Sequence, residues 1–259
     1  MIRTSKTALS VATLALLAAC GGDDDDPAGT STGTTGSNAA AVLLTQDFKA
    51  EAGGWVGESS DYTTETAPAN VVFELRDIYR LNGVENAAYK DSKAYYISGT
   101  NRSDDLLLYV KKQITGLVAN TEYTFAITSL NLLSNAASGC VGVGGAPGES
   151  VYVIAAASPT EPKPVTTNGE TRLNIDRGNQ ATPGAASMML GDIANGLACQ
   201  GEPKYASKLL RNGTGVKVKT DGEGKVWVLL GIDSGFEATT SIYLQNVTMT
   251  FVPVTTTTT

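Results

Sequence analysis

Histidine is absent from all 259 residues. Without an imidazole there is no general base of the kind that activates serine or cysteine nucleophiles, and the commonest transition-metal ligand is missing as well. Any catalysis would have to run on carboxylates, lysine, tyrosine or a bound hard cation. Basic residues are also scarce, with 19 Lys and Arg against 26 Asp and Glu. A chain this short of positive charge lacks the footprint that phosphate binding needs, which excludes nucleic acid as a partner. The longest apolar run, Ala8 to Ala19, is too short to span a bilayer as a helix.

That short run is nonetheless informative, because Arg3 and Lys6 precede it and together they have the layout of an export signal. Leu17-Ala18-Ala19-Cys20 follows and resembles the lipobox of bacterial lipoproteins. The resemblance implies cleavage before Cys20, a diacylglyceryl group on its sulfur, and a membrane as partner through that anchor. An extracytoplasmic location at the outer membrane or cell surface is the corresponding expectation. An ordinary secretory signal with an incidental cysteine, or an uncleaved signal anchor, are the other readings. Residues 1–19 are thus read as signal peptide and 20–40 as a leash. Asp23 to Asp26 and a Ser/Thr/Gly-rich run make up that leash, which cannot bury enough apolar surface to fold. With Arg3 and Lys6 removed, 17 basic residues face 26 acidic ones, a net charge of −9.

Residues 41–254 are long enough for one well-buried domain, and residues 255–259 form a threonine tail. Once Cys20 is acylated, Cys140 and Cys199 are the remaining thiols in an oxidising compartment, and a disulfide between them is the simplest reading. Two separate buried thiols are the alternative. Two cysteines without histidine make a poor zinc set.

Period-two alternation of Val, Ile, Thr and Tyr dominates the domain and predicts half-buried strands. Leu106, Leu108 and Val110 share one face, and Leu107, Tyr109 and Lys111 the other. Tyr123 with Phe125 and Ile127, Val151 with Val153, Val216 with Val218, Val226 with Val228 and Leu230, and Ile242 with Leu244 repeat the pattern. Turn signals stand at Gly144 to Gly148, Asn168-Gly169, Asn212-Gly213 and Asp221-Gly222, the last two suggesting consecutive hairpins. Met188 to Ala194 and Tyr205 to Leu210 are the stretches with room for a helical turn. The expected fold is all-β, a single antiparallel β-sandwich of jelly-roll type.

Three patches add a resemblance. Asp47-Phe48 followed by Gly53-Gly54-Trp55, then Ile114 to Leu117 with Asn120 to Tyr123, and finally Val226 to Gly231 with Asp233 to Gly235 and Ile242 to Val247, resemble the strands of jelly-roll carbohydrate-binding modules. The resemblance implies that fold and a glycan partner. Gln245 stands where an aspartate often precedes Asn-Val in those modules, a departure at a family-like calcium site.

No motif for chemistry is sharp. The run Gly139 to Ser150 is neither a phosphate loop nor a hydrolase elbow. It reads as a long turn pinned by Cys140, or as a backbone-rich loop lining a pocket with Glu149 as its strong polar group. Ser98 to Asp105 brings Asn101, Arg102, Asp104 and Asp105 together, which suits a solvated turn, bidentate binding of vicinal hydroxyls, or a structural calcium ion; no other cofactor is expected. Trp55 and Tyr62 stand among glycines and polar residues and offer a stacking platform for sugar, with Asp61 and Glu58 supplying hydrogen bonds; packing in the core is the other reading of Trp55. Trp227, in an apolar strand, is read as core. The functional expectation is a membrane-anchored, non-catalytic β-sandwich that binds carbohydrate. A carboxylate-based polysaccharide-degrading enzyme and a structural envelope protein without a small ligand are the alternatives.

Overall fold

The computed structural model describes residues 39–255. Cys20, Asp23 to Asp26 and the rest of the leash up to residue 38 lie outside the described residues, as do residues 256–259. In chain order the strands are β1 (Val42–Asp47), β2 (Val56–Ser60), β3 (Tyr62–Thr63), β4 (Ala69–Asp77), β5 (Lys93–Thr100), β6 (Leu106–Ile114), β7 (Glu122–Ser134) and β8 (Val151–Ser158). They continue as β9 (Pro164–Thr167), β10 (Glu170–Leu173), β11 (Gly178–Asn179), β12 (Thr182–Pro183), β13 (Ser187–Asp192), β14 (Ala206–Lys219), β15 (Val226–Ser234) and β16 (Thr239–Pro253). One short 3₁₀ turn, Ala87–Tyr89, follows β4.

Two antiparallel sheets form the sandwich. The first runs β14-β7-β16-β5-β4, with β1 sharing the β5 flank of the long β16; the second runs β13-β8-β15-β6-β2. From β5 to β8 the chain changes sheet at every step, and it does so again from β13 to β16, which winds the two layers into a jelly roll. The core lies between them. Leu106, Leu108 and Val110 from β6, Val226, Val228, Leu230 and Ile232 from β15, and Phe125, Ile127, Leu130 and Leu132 from β7 all point inward. Between Ile127 and Leu130 the inward phase of β7 slips by one residue, because a bulge opposite Thr248/Met249 shifts the register.

The outer face of the second sheet and part of that of the first are also covered, which the alternation alone does not reveal. Residues 159–186, carrying β9 to β12, fold as an arm over the second sheet, and Leu173 and Ile175 pack on Leu107, Tyr109, Ile154, Ala156 and Leu229. Burial on two sides explains why β6, β8 and β15 read as nearly unbroken apolar runs rather than clean alternation. Over the first sheet, residues 78–92 place Ile78, Val84 and Tyr89 against Ala94, Leu133 and Tyr243.

Several local expectations are corrected. Met188 to Ala194 and Tyr205 to Leu210 are not helical; they lie mainly in β13 and β14, whose backbone groups are held by β8 and β7. Sheet pairing overrides weak local preference there. Asn212-Gly213 is no hairpin turn but a bulge inside β14, where the register against β7 shifts between Leu210 and Val216. Asp221-Gly222 does turn the chain, but β14 and β15 belong to different sheets, so no hairpin results. Asn168-Gly169 joins the paired residues Thr167 and Glu170 as a two-residue hairpin turn, with φ of +51° and +85° at its central residues. Among the described residues no helix is long and apolar enough to cross a membrane.

Candidate functional site

Concavities open at the two ends of the sandwich and against the arm. At one end a cavity of about 490 Å³ is bounded by the loops that follow β7, β13 and β15. Its floor is the open edge of β16. Pairing of β16 with β7 begins at Ile242, so Thr239, Thr240 and Ser241 are hydrogen-bonded to β5 on one side only. The cavity lies along that half-paired edge, with Asn135, Gln200, Glu202 and Lys204 supplying polar groups and Phe236, Ile193 and Leu197 apolar surface.

These loops are irregular, so their shape depends on cross-links. The Cys140–Cys199 disulfide ties two of them with Cα atoms 5.3 Å apart. Beside it Ser138 N donates to Leu197 O at 2.8 Å, and Glu149 Oε1 accepts from Gly139 N at 2.8 Å. Asn195 is the second anchor: its Nδ2 donates to Ser134 O and Lys204 O at 3.0 and 2.9 Å, and its backbone N donates to Ala136 O. The loop Gly139 to Ser150 meets the first sequence reading and part of the second, since Glu149 is held by Gly139 and does not line the cavity. It is a turn pinned by Cys140, and through Cys140 and Pro147 it lines a cavity.

A row of tyrosines continues the surface. Tyr205 Oη and Ser241 Oγ share a hydrogen bond at 3.3 Å, and Tyr205 packs edge-on against Tyr243 with centroids 5.4 Å apart. Tyr243 lies against Tyr96 at 4.7 Å, and the Arg76 guanidinium sits 3.9 Å from the Tyr96 ring centre. Burial raises the Tyr205 phenol and pushes Tyr243 up to about 12, so both stay protonated at neutral pH. Beyond Tyr205 a smaller cleft of about 250 Å³ lies between Tyr89 and the start of β14.

The residues singled out by sequence lie elsewhere. Trp55 is 3% exposed, edge-on to Phe48 at 6.1 Å, and belongs to the core rather than to an exposed platform. Positive φ at Gly53 and Gly54 turns the chain so that the indole faces inward. Trp227 takes the opposite course: it projects from the outer face of β15, partly exposed, with Lys111 Nζ 6.0 Å from its ring centre. Of the two readings of Trp55 the structure takes packing, while Trp227, expected in the core, is partly exposed. Tyr62 pairs through β3 with Thr171 and packs its ring partly against the core. Glu58 holds the buried Lys111 ammonium at 2.8 Å and accepts from Tyr109 Oη at 2.8 Å.

Asn101 is buried and spent on backbone, with Nδ2 donating to Ser234 O and Phe236 O and Oδ1 accepting from Ser103 N. It ties the β5–β6 turn to the β15–β16 turn instead of facing a ligand. Arg102 is exposed and Asp104 gives its backbone carbonyl to Gln180 Nε2 at 2.7 Å. Among the described residues no group of three or more acidic, cysteine or histidine side chains is arranged to hold a metal ion.

Asp61 joins a constellation that local sequence could not disclose. Arg177 of the arm is buried and ion-paired with Asp61 at 2.5 Å, with Asp105 at 3.5 Å and with Asp233 of β15. Arg172 adds a pair to Asp105. Burial works against the charge of Arg177, but Asp233 and Asp61 outweigh it and raise its pKa. Burial pushes Asp233 up to about 6, and its Oδ1 has no hydrogen-bond partner. The carboxylates here are paired with arginines that clamp the arm, and Asp61, Asp105, Arg172 and Arg177 also line an open cleft of about 360 Å³ against it.

Neither a protein-family model nor a curated protein sequence matches the chain. Among solved structures, it is similar to a carbohydrate-binding module described as recognising mannan, at 12% identity and a TM-score of 0.37 over 82% of this chain and 98% of that one. A xylan-binding domain matches at 13% identity and a TM-score of 0.33, over 83% of this chain and 96% of that one. A Stig cyclase from Fischerella sp. TAU matches at 13% identity and 0.35, over 78% and 86%. Likeness at this level is weak, and the architecture rests on the chain's own strand pairing.

Proposed function

We propose that this protein is a membrane-anchored, non-catalytic glycan-binding β-sandwich, tethered through Cys20 and binding its ligand in the cavity beside Thr239 to Ser241. One observation carries the reading: the cavity lies at the end of the sandwich remote from the N-terminal strand. On β16, Thr240 and Met249 are nine residues apart, roughly 30 Å at strand rise, and the N-terminal β1 pairs with the Met249 half. The described chain begins at that half, so the cavity lies at the end of the sandwich remote from residue 39.

The chemistry of the cavity suits a polyol. Half-paired backbone, amides at Asn135 and Gln200, and the Glu202 carboxylate offer donors and acceptors, while Phe236 and Leu197 offer apolar surface for a sugar ring. Tyr205, between Ser241 and the second cleft, gives a longer glycan somewhere to continue.

A glycan panel applied to the full chain tests the reading. Saturable binding that Glu202→Ala and Gln200→Ala each weaken about tenfold, with unfolding midpoints unchanged, is the expected result. Both residues are exposed loop residues, so loss of fold does not confuse the outcome. Binding unaffected by both changes would remove the cavity from the proposal. Release of cleaved sugar would replace it with the enzymatic alternative.

A further inference from the structure

The opposite end of the sandwich holds a second cavity, of about 350 Å³, with a different character. Its walls are Val42 and Leu44 of β1, Ile114 at the end of β6 and Leu117 just beyond it, Met249 of β16 and Trp55. Thr115, Gly116 and Val118 form an exposed mouth. Thr45, Gln46 and Gln113 also line it, and two polar features stand out. The Trp55 Nε1–H is buried without a hydrogen-bond partner, an uncommon state for an indole in a core. Lys112 lines the same cavity, and burial lowers its pKa against an opposing contribution from Glu51.

We propose that this cavity binds the hydrocarbon chain of a monocarboxylate of the medium-chain fatty-acid type, its carboxylate placed between Lys112 and Trp55. An apolar lining of this size matches the lower range of small-ligand sites. Burying methylene groups drives binding, while a lone ammonium and an unpartnered donor fix the polar end. The apolar walls at Val42, Leu44, Ile114, Leu117 and Met249 suit a hydrocarbon chain, so the occupant proposed here differs in class from that at the other end.

Titration calorimetry of the full chain carrying Cys20→Ser, with octanoate, decanoate and dodecanoate, tests this. Affinity should rise roughly tenfold for each two methylenes, the increment expected for burying hydrocarbon. Lys112→Met should weaken decanoate about tenfold and leave decanol unchanged; Trp55→Phe should weaken both, since each can accept from the indole. Thr115→Trp, at the exposed mouth, should block entry without altering the unfolding midpoint. Absence of saturable decanoate binding, or equal loss of decanoate and decanol in Lys112→Met, overturns the proposal. So does refusal of decanoate by the acylated wild-type chain when the Ser variant accepts it, which would assign the cavity to the chain's own lipid.

Discussion

Arg177 reaches from the arm to Asp233 at the end of β15, and neither side chain is appreciably exposed to solvent. This pair, shared with Asp61 and Asp105, joins segments far apart in the chain. Its weak point is Asp233, whose second oxygen finds no partner.

Folding stability should therefore depend on the ionisation of Asp233. Its folded pKa, about 6, lies above the ordinary carboxylate value of 3.8, so the folded state holds the proton more tightly than the unfolded one. The contribution is fully present below about pH 4 and is lost as pH rises through about 6, an effect on the order of 3 kcal/mol. Urea unfolding of the wild type and Asp233→Asn between pH 4 and 7 checks this. The variant should lack that part of the pH dependence.

The Cys140–Cys199 bridge closes a loop with a sequence separation of 59. On the chain-entropy account its removal should cost about 4 kcal/mol. Denaturant titration of Cys140→Ala/Cys199→Ala measures the loss. Mass mapping of an unreduced digest should recover the joined peptides.

Trp55 and Trp227 should respond in opposite ways to truncation. Trp55→Ala opens the core beside Phe48 and should destabilise the fold by roughly 3 to 5 kcal/mol. Trp227→Ala, on a partly exposed face, should cost well under half of that. Emission spectra of the single-tryptophan variants give an independent check, with Trp227 the more readily quenched.

Acylation of Cys20 is expected from its lipobox-like setting. A fatty-acid analogue should label the wild-type protein in cells and fail to label Cys20→Ser. Equal labelling of both would remove the anchor.

Much of this architecture was legible locally. Alternation at Leu106 to Lys111, Tyr123 to Ile127 and Val226 to Leu230 identifies strands, because the side-chain period of two is a property of the extended backbone itself. The Asn168-Gly169 turn was equally plain, since its left-handed backbone favours those residue types. Elimination singled out Cys140 and Cys199 as partners, and the lack of histidine bounded the chemistry.

Tertiary packing decided what local patterns leave open. Alternation separates two faces without saying what covers either, so the arm over Leu107 and Tyr109, and residues 78–92 over Ala94 and Tyr243, left no local signature. Trp55 is buried because β1, β5 and β6 converge around it, and Trp227 is partly exposed because its strand turns it outward. Asp61, Asp105, Arg177 and Asp233 meet only once β2, β6 and β15 have paired in the second sheet and the arm has closed over it. Composition and periodicity determined the class of fold. The exposure of each aromatic and the partner of each charge depended on contacts between distant segments, which no stretch of sequence contains by itself.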